Sequence, residues 1–171
     1  MKRTHLLRST PGILVCTALL ASGAAAQARW RPHKTPWSTS TAITTYDFAR
    51  REVVRYGGSS AANTWVLRDG RWQQMDTPVR PRATMAVALA FDVSRGTVLL
   101  FGGSDGVRLL NETWEWNGAE WRELYPVTSP PARQSAALCS DLGRGRVVMF
   151  GGFVSATPWV LGDTWEWDGS N

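Results

Sequence analysis

The sequence predicts an all-β chain built from repeated four-stranded antiparallel units. The same set of motifs returns three times, at intervals of about 45 to 50 residues. After residue 28, no stretch shows the apolar period of 3.6 residues that an amphipathic helix needs. The ten tryptophans, against three tyrosines and five phenylalanines, fall mostly at fixed positions of the repeat, which indicates a repeated structural use.

Each repeat is centred on an aromatic residue followed by two glycines. An Asp lies nine residues before the aromatic residue, an Arg follows that Asp by three, and a Thr-Trp dipeptide follows the glycines. The three sets are Asp47, Arg50, Tyr56 and Thr64; Asp92, Arg95, Phe101 and Thr113; and Asp141, Arg144, Phe150 and Thr164. In two copies a second Trp, Trp72 or Trp121, stands seven residues after the first.

The second repeat shows how one unit is expected to fold. A short apolar segment, 86–91, leads into Asp92, whose carboxylate can cap the backbone amides of a turn. The apolar run 97–101 is typical of a strand buried on both faces. The Gly pair is expected to end it, where a side chain would clash or a positive φ is needed. Thr113–Trp116 alternates like a half-buried strand. Asn117-Gly118 then predicts a tight hairpin to the returning strand 121–124.

The segment after the Gly pair differs in length between repeats. It measures six residues from Gly58 to Thr64, ten from Gly103 to Thr113, and twelve from Gly152 to Thr164. Insertions at one site of a repeat collect on one face of the assembly, and that face is often the binding face.

These motifs resemble the kelch repeat family, in the form common in secreted bacterial proteins. The resemblance covers about residues 41–171 and implies about 2.5–3 four-stranded blades of a β-propeller. The blades are expected at about 41–77, 82–125 and 132–171, the last one truncated. Because propellers have about four to eight blades, we expect an N-terminal part of a longer propeller. The alternative is a ring completed by oligomerisation.

The first 28 residues have the parts of a secretory signal peptide. Lys2, Arg3 and Arg8 make a positive start, 13–21 is apolar but short, and cleavage is expected after Ala28. Residues 29–40 form a lead-in linker. The protein is therefore expected to be secreted, periplasmic or on the cell surface. No later segment is expected to span a membrane.

Charge argues against nucleic acid as a partner. Once the leader is removed, 16 of the 19 basic residues remain against 14 acidic ones, and no basic cluster carries interleaved aromatic residues. His33, in the lead-in, is then the sole histidine, and Cys139 is the sole cysteine because Cys16 lies in the leader. We expect no catalytic, cofactor-binding or metal-binding residues in this segment, and we expect Cys139 to be a small buried apolar residue.

Residues that repeat at fixed register are explained by structure. This applies to the carboxylates of the motifs and to most tryptophans, which are expected to pack within each repeat. Two residues stand outside the pattern, Asp105 in a variable loop and Trp159 in the segment 153–161. They are the candidate ligand-binding residues, although a turn carboxylate is the simpler interpretation of Asp105.

Together these features favour an exported, non-catalytic scaffold that recognises protein or carbohydrate through loops on one propeller face. The alternative is the N-terminal part of a secreted oxidase or carbohydrate-active enzyme whose active residues lie beyond Asn171. A structural spacer of the cell surface is a third interpretation. An open propeller is also expected to self-associate through its uncovered faces and strand edges.

Overall fold

The computed structural model describes residues 42–58 and 62–170, which form eleven strands in three antiparallel sheets and contain no helix. The expected leader and lead-in, with His33 and Cys16, lie outside these residues. Sheet 1 contains β1 (Ile43–Asp47), β2 (Glu52–Tyr56), β3 (Thr64–Arg68) and β4 (Arg71–Met75). Sheet 2 contains β5 (Ala88–Asp92), β6 (Thr97–Phe101), β7 (Thr113–Trp116) and β8 (Trp121–Leu124). Sheet 3 contains β9 (Ala137–Asp141), β10 (Arg146–Phe153) and β11 (Val160–Trp167).

Strands that follow one another in the chain pair with one another in each sheet. In the second repeat, the bounds of β6, β7 and β8 confirm the strands predicted from the sequence. The strand β5 begins at Ala88, two residues after the start of the predicted apolar segment. The reason is that Ala86 has a φ of 55°, which is incompatible with an extended strand. The all-β prediction is therefore confirmed for the described residues.

Sheet 3 differs from the other two sheets. The strand β10 runs through its Gly pair to Phe153, with an irregularity in pairing between Phe150 and Gly152. The prediction that the Gly pair ends the strand is wrong here. The longer connection folds back, so that Phe153 pairs with Val160 on β11 and its backbone N–H donates to the carbonyl oxygen of Gln134 at 2.8 Å. The described residues of this sheet form three strands.

Every sheet has two unlike ends. The Asp-x-x-Arg turns and the hairpins 68–71 and 116–121 lie at one end, which we call the turn end. The connections after the Gly pairs and the linkers between sheets lie at the opposite end, which we call the loop end. This division follows from antiparallel pairing of consecutive strands, and it places all the length variation at the loop end.

The core lies between neighbouring sheets. One face of sheet 2, with Leu100 and Trp116, packs against Val54, Tyr56 and Val66 of sheet 1. Its other face carries Ala88, Ala90, Leu99 and Phe101, which pack against Val147 and Met149 of sheet 3. The first strand of sheet 2, β5, contacts the first strands of both other sheets. Sheet 2 is therefore apolar on both faces and covered on both.

In the first two repeats, the first glycine of the pair lies against the linker that leads into the following sheet. At Gly57 (φ 74°), an added Cβ would lie 3.1 Å from the carbonyl oxygen of Thr84. At Gly102 (φ 64°), it would lie 2.5 Å from the carbonyl oxygen of Arg133. Both reasons predicted for the Gly pair, positive φ and the lack of room for a side chain, therefore hold at these positions.

One face of sheet 3 is left uncovered in the described structure. The aromatic residue before the Gly pair is 0% exposed in sheet 1 (Tyr56) and 5% in sheet 2 (Phe101), but 56% exposed in sheet 3 (Phe150). Cys139 is exposed on this face, at the position that the buried Ala90 occupies in sheet 2. The prediction that Cys139 is buried is therefore wrong, because no described sheet packs over it.

Substituting Gly102 tests the close approach of the linker. Gly102→Ala is expected to lower the free energy of unfolding by about 1–3 kcal/mol more than Gly70→Ala. Both glycines have positive φ, but a Cβ on Gly70 would meet nothing within 4 Å. Denaturant unfolding followed by tryptophan fluorescence gives the comparison. Equal losses would show that φ accounts for the whole effect.

Phe101 and Phe150 form a matched pair that tests the uncovered face. Phe101→Ala is expected to cost about 3–5 kcal/mol of unfolding free energy because it empties a packed interface. For residues 29–171 alone, Phe150→Ala is expected to cost less than about 1 kcal/mol and to reduce self-association, because its ring lies on an exposed apolar surface. Unfolding curves and light scattering measure the two effects. Unchanged association of the Phe150 variant would contradict the role of this face.

Candidate functional site

The Asp-x-x-Arg motifs at the turn end are structural. In each motif the Asp carboxylate accepts the backbone N–H of the Arg, at 3.0 Å for Arg50, 3.2 Å for Arg95 and 3.0 Å for Arg144. The predicted capping is therefore confirmed. Asp47 and Asp92 are also buried, which leaves them fixed in place as turn carboxylates.

The arginines of the first two motifs, Arg50 and Arg95, connect one sheet to the next. Nη1 of Arg50 donates to the carbonyl oxygen of Gly96 at 2.9 Å, and Nη1 of Arg95 donates to that of Gly169 at 2.8 Å. Arg95 also donates from Nη2 to Glu115 at 2.9 Å, and Arg144 donates to Glu166 at 2.6 Å. Glu115 and Glu166 therefore hold arginines, and their repeated position has a structural cause.

The repeated tryptophans have two different roles. The indole N–H of Trp114 donates to Glu112 at 3.0 Å, within its own sheet. Trp121 instead donates across to Thr64 of sheet 1 at 2.7 Å, and its ring lies 5.3 Å from that of Tyr56. The prediction of packing within each repeat is therefore incomplete, because Trp121 connects two sheets.

A buried arginine anchors the linker into sheet 3. Arg133 is fully buried and makes two hydrogen bonds to the carboxylate of Asp163, at 2.6 and 2.8 Å. It also donates to the carbonyl oxygen of Gly151 at 3.0 Å. The side-chain hydrogen bond from Arg133 lowers the pKa of Asp163 from 3.8 to about 2. This pair could not be predicted from the repeat, because Thr84 stands at the equivalent place before sheet 2.

The candidate site is a groove of about 420 Å³ at the loop end of sheet 2. It is lined by parts of the loop 108–113, the end of β8 with the following residues 125–129, and Arg82 from the preceding linker. These segments are distant in sequence, but antiparallel pairing of β7 with β8 brings the first two together. The polar side chains that the groove presents are those of Arg82, Arg108, Asn111, Glu112, Glu123 and Tyr125.

Arg82 and Glu112 form a fixed ion pair in the groove. Nε of Arg82 donates to Oε1 of Glu112 at 2.8 Å, and Oε2 of the same carboxylate accepts the Trp114 indole N–H. The hydrogen bond to Glu112 raises the pKa of Arg82. The arginine side chain itself is largely exposed.

Tyr125 is an exposed aromatic residue held in place at the groove. Its side chain is 82% exposed, and its hydroxyl donates to Oε2 of Glu123 at 2.7 Å. This hydrogen bond raises the pKa of Tyr125. An aromatic ring fixed at its polar end and open on its face can stack against a ligand.

Asp105, one of the two predicted ligand-binding residues, supports the groove without lining it. Its Oδ1 accepts the backbone N–H groups of Arg108 at 2.8 Å and Val107 at 2.9 Å. These hydrogen bonds, the one from Arg108 first, lower the pKa of Asp105. Asp105 also forms an ion pair with the Arg108 side chain at 3.6 Å. The simpler interpretation, a turn carboxylate, fits this geometry.

Trp159, the other predicted ligand-binding residue, lies at the loop end of sheet 3. It is 62% exposed, and its carbonyl oxygen accepts the backbone N–H of Val154 at 3.0 Å. Its neighbours Phe153 and Val160 are also exposed. Trp159 is not among the lining residues of the groove, so the structure does not bring the two predicted residues into one site.

Within residues 42–58 and 62–170, no three His, Cys, Asp or Glu side chains are grouped so that they could hold a metal ion. The same residues contain no helix that could cross a membrane. No family model matches the chain, and a search of curated proteins found no match.

Removal of the Asp163 carboxylate tests the buried arginine. Asp163→Asn is expected to cost about 1–2 kcal/mol at neutral pH, because it leaves the Arg133 guanidinium buried without its charged partner. Since the folded pKa lies below the usual value, the contribution of Asp163 is present above about pH 4 and is lost as pH falls towards 2. The variant should therefore show a weaker loss of stability over that interval.

Unfolding midpoints measured between pH 2 and 7 make this comparison. Glu120→Gln, which removes one exposed carboxylate of a hairpin, is the control for the change in net charge. An Asp163→Asn profile parallel to that of the unsubstituted protein would contradict the assignment.

Proposed function

We propose that this chain is part of an exported kelch-repeat β-propeller that serves as a non-catalytic recognition scaffold. One observation carries the proposal: the contacts that join sheet 1 to sheet 2 occur again between sheets 2 and 3. A structure that repeats the same interface adds sheets by the same operation each time, which is how propellers and solenoids are built.

The repeated interface has equivalent parts at both ends of the sheets. At the turn end, Arg50 lies against Gly118 of the next sheet, as Arg95 lies against Gly169. At the loop end, Gly57 lies against the linker at Thr84, as Gly102 does at Arg133. The first strands of the sheets also lie next to one another, as expected for strands nearest a propeller axis. These equivalences support blades that follow one another in order.

Export is supported by the leader, which lies in residues 1–28 and outside the described structure. The positive start, the short apolar segment and the small residues before Arg29 are what a signal peptidase requires. We propose that the mature protein begins at Arg29 and acts in the periplasm, on the cell surface or in the medium.

Recognition rather than catalysis is supported by how the carboxylates are used. The repeated acids hold turns, arginines or indoles, as described above for Asp92, Glu112 and Glu115. The loop end carries the variation between repeats and also the groove. A rigid, repeated turn end with a variable loop end is the usual arrangement of a binding scaffold.

The intact mass and N-terminal sequence of the native protein test this proposal. The protein should be recovered outside the cytoplasm, beginning at Arg29, and its mass should exceed that of residues 29–171 because further blades follow. Recovery from the cytoplasm with residues 1–28 still attached would contradict export. If the additional sequence instead carried clustered His, Tyr or Cys ligands, the protein would be a secreted enzyme rather than a scaffold.

A further inference from the structure

We propose that the groove beside sheet 2 binds a neutral saccharide, with a sugar ring stacked on Tyr125. The groove is the one defined above, presenting Arg82, Arg108, Asn111, Glu112, Glu123 and Tyr125. This inference rests on the proposed function as a recognition scaffold, and it names the class of ligand.

The two guanidinium groups in the groove are already paired. Arg82 is paired with Glu112, and Arg108 is paired with Asp105, so neither guanidinium needs an anion from a ligand. The carboxylate of Glu123 also lines the groove and would repel an anionic ligand. With both guanidinium groups already paired, nothing in the groove compensates a negative charge on a ligand, so an uncharged ligand is favoured over an anionic one.

The groove offers both hydrogen-bond donors and hydrogen-bond acceptors. A guanidinium only donates, and a carboxylate only accepts, whereas a hydroxyl does both. The exposed Arg82 can therefore donate to one hydroxyl group of a sugar, while the carboxylate of Glu123, which lines the same groove, accepts from another. Few neutral biological ligands other than saccharides present such a density of hydroxyls.

Tyr125 supplies the apolar part of the recognition. One face of a pyranose ring carries C–H groups, which pack against the face of an aromatic ring. Because the hydroxyl of Tyr125 is held by Glu123, the ring is already oriented, and less conformational entropy is lost when a ligand binds. Pro126 follows directly and restricts the backbone at this position.

The groove is built on the sheet rather than on a free loop. Glu112 is largely buried and held by both Arg82 and the Trp114 indole, and Leu110 beneath the loop is buried in the core. Its volume of about 420 Å³ falls within the range of small-molecule sites, about 300–1,000 Å³, and has room for one or two sugar rings.

Binding of the full-length native protein to a glycan array tests the proposal. The array carries neutral oligosaccharides and, for comparison, oligosaccharides that contain uronic acid. We expect binding to neutral glycans, and the best of them is then titrated by calorimetry. Tyr125→Ala should weaken binding about tenfold or more, the amount that a stacked ring contributes. Tyr125→Phe keeps the ring and should stay within about threefold of the unsubstituted protein.

Arg108→Ala tests the polar side and should also weaken binding about tenfold, by removing a charged donor. Trp159→Ala is the matched control, because Trp159 is an exposed aromatic residue of the loop end that lies outside the groove lining. Its affinity should be unchanged. Unfolding midpoints of all variants show whether each one remains folded.

Three outcomes would overturn the inference. They are the absence of binding to any neutral glycan, a preference for uronic acid glycans, and a loss of binding in Trp159→Ala with none in Tyr125→Ala. Capture of a protein ligand that depends on Tyr125 would overturn the saccharide proposal, but it would remain consistent with the proposed function as a recognition scaffold. Recovery of the protein from the cytoplasm, or a mass no greater than that of residues 29–171, would contradict the proposed function whatever the glycan array shows.

Discussion

A four-stranded sheet with apolar side chains on both faces cannot bury them by itself, and the rest of this structure depends on that constraint. Sheet 2 meets it by packing Leu100 and Trp116 against sheet 1, and Leu99 and Phe101 against sheet 3. Each of these faces removes apolar surface from water at about 25 cal/mol per Å². Hydrogen bonds such as Trp121 to Thr64 then fix the position of one sheet on the next. The neighbouring sheet is therefore the principal source of stability.

The turn end of the sheets carries the repeated structural contacts, and the loop end carries the differences in length between repeats. At the turn end, Arg50 and Arg95 donate hydrogen bonds to backbone carbonyl oxygens of the next sheet. Because these contacts join the sheets, an arginine is needed at this position of the repeat. At the loop end, the glycines admit the linker in both described junctions between sheets. Connections of different length are accommodated there, and the polar groove forms where one of them meets the end of β8.

Much of the fold could be predicted because the same motifs recur three times in the sequence. The bounds of β6, β7 and β8, the capping by Asp92 and the reason for the Gly pair all follow from local chemistry. Exposure could not be predicted in the same way: Phe150 and Cys139 carry the local pattern of buried residues, but burial depends on a neighbouring sheet. The groove was missed because its residues do not repeat and come from separate segments. Asp105 and Trp159 stand outside the repeated pattern, but a position outside the repeat does not show which residues lie close together in space.

The close fit of each linker against the glycine of the preceding sheet gives the chain a direction of assembly. The Arg133 carbonyl oxygen lies where Gly102 leaves room for it, so the incoming segment docks on a surface that was synthesised earlier. As the chain leaves the ribosome, every new sheet can dock on one that has already been made, and its far face stays uncovered until the next sheet folds. Sheets can therefore be added in chain order during translation.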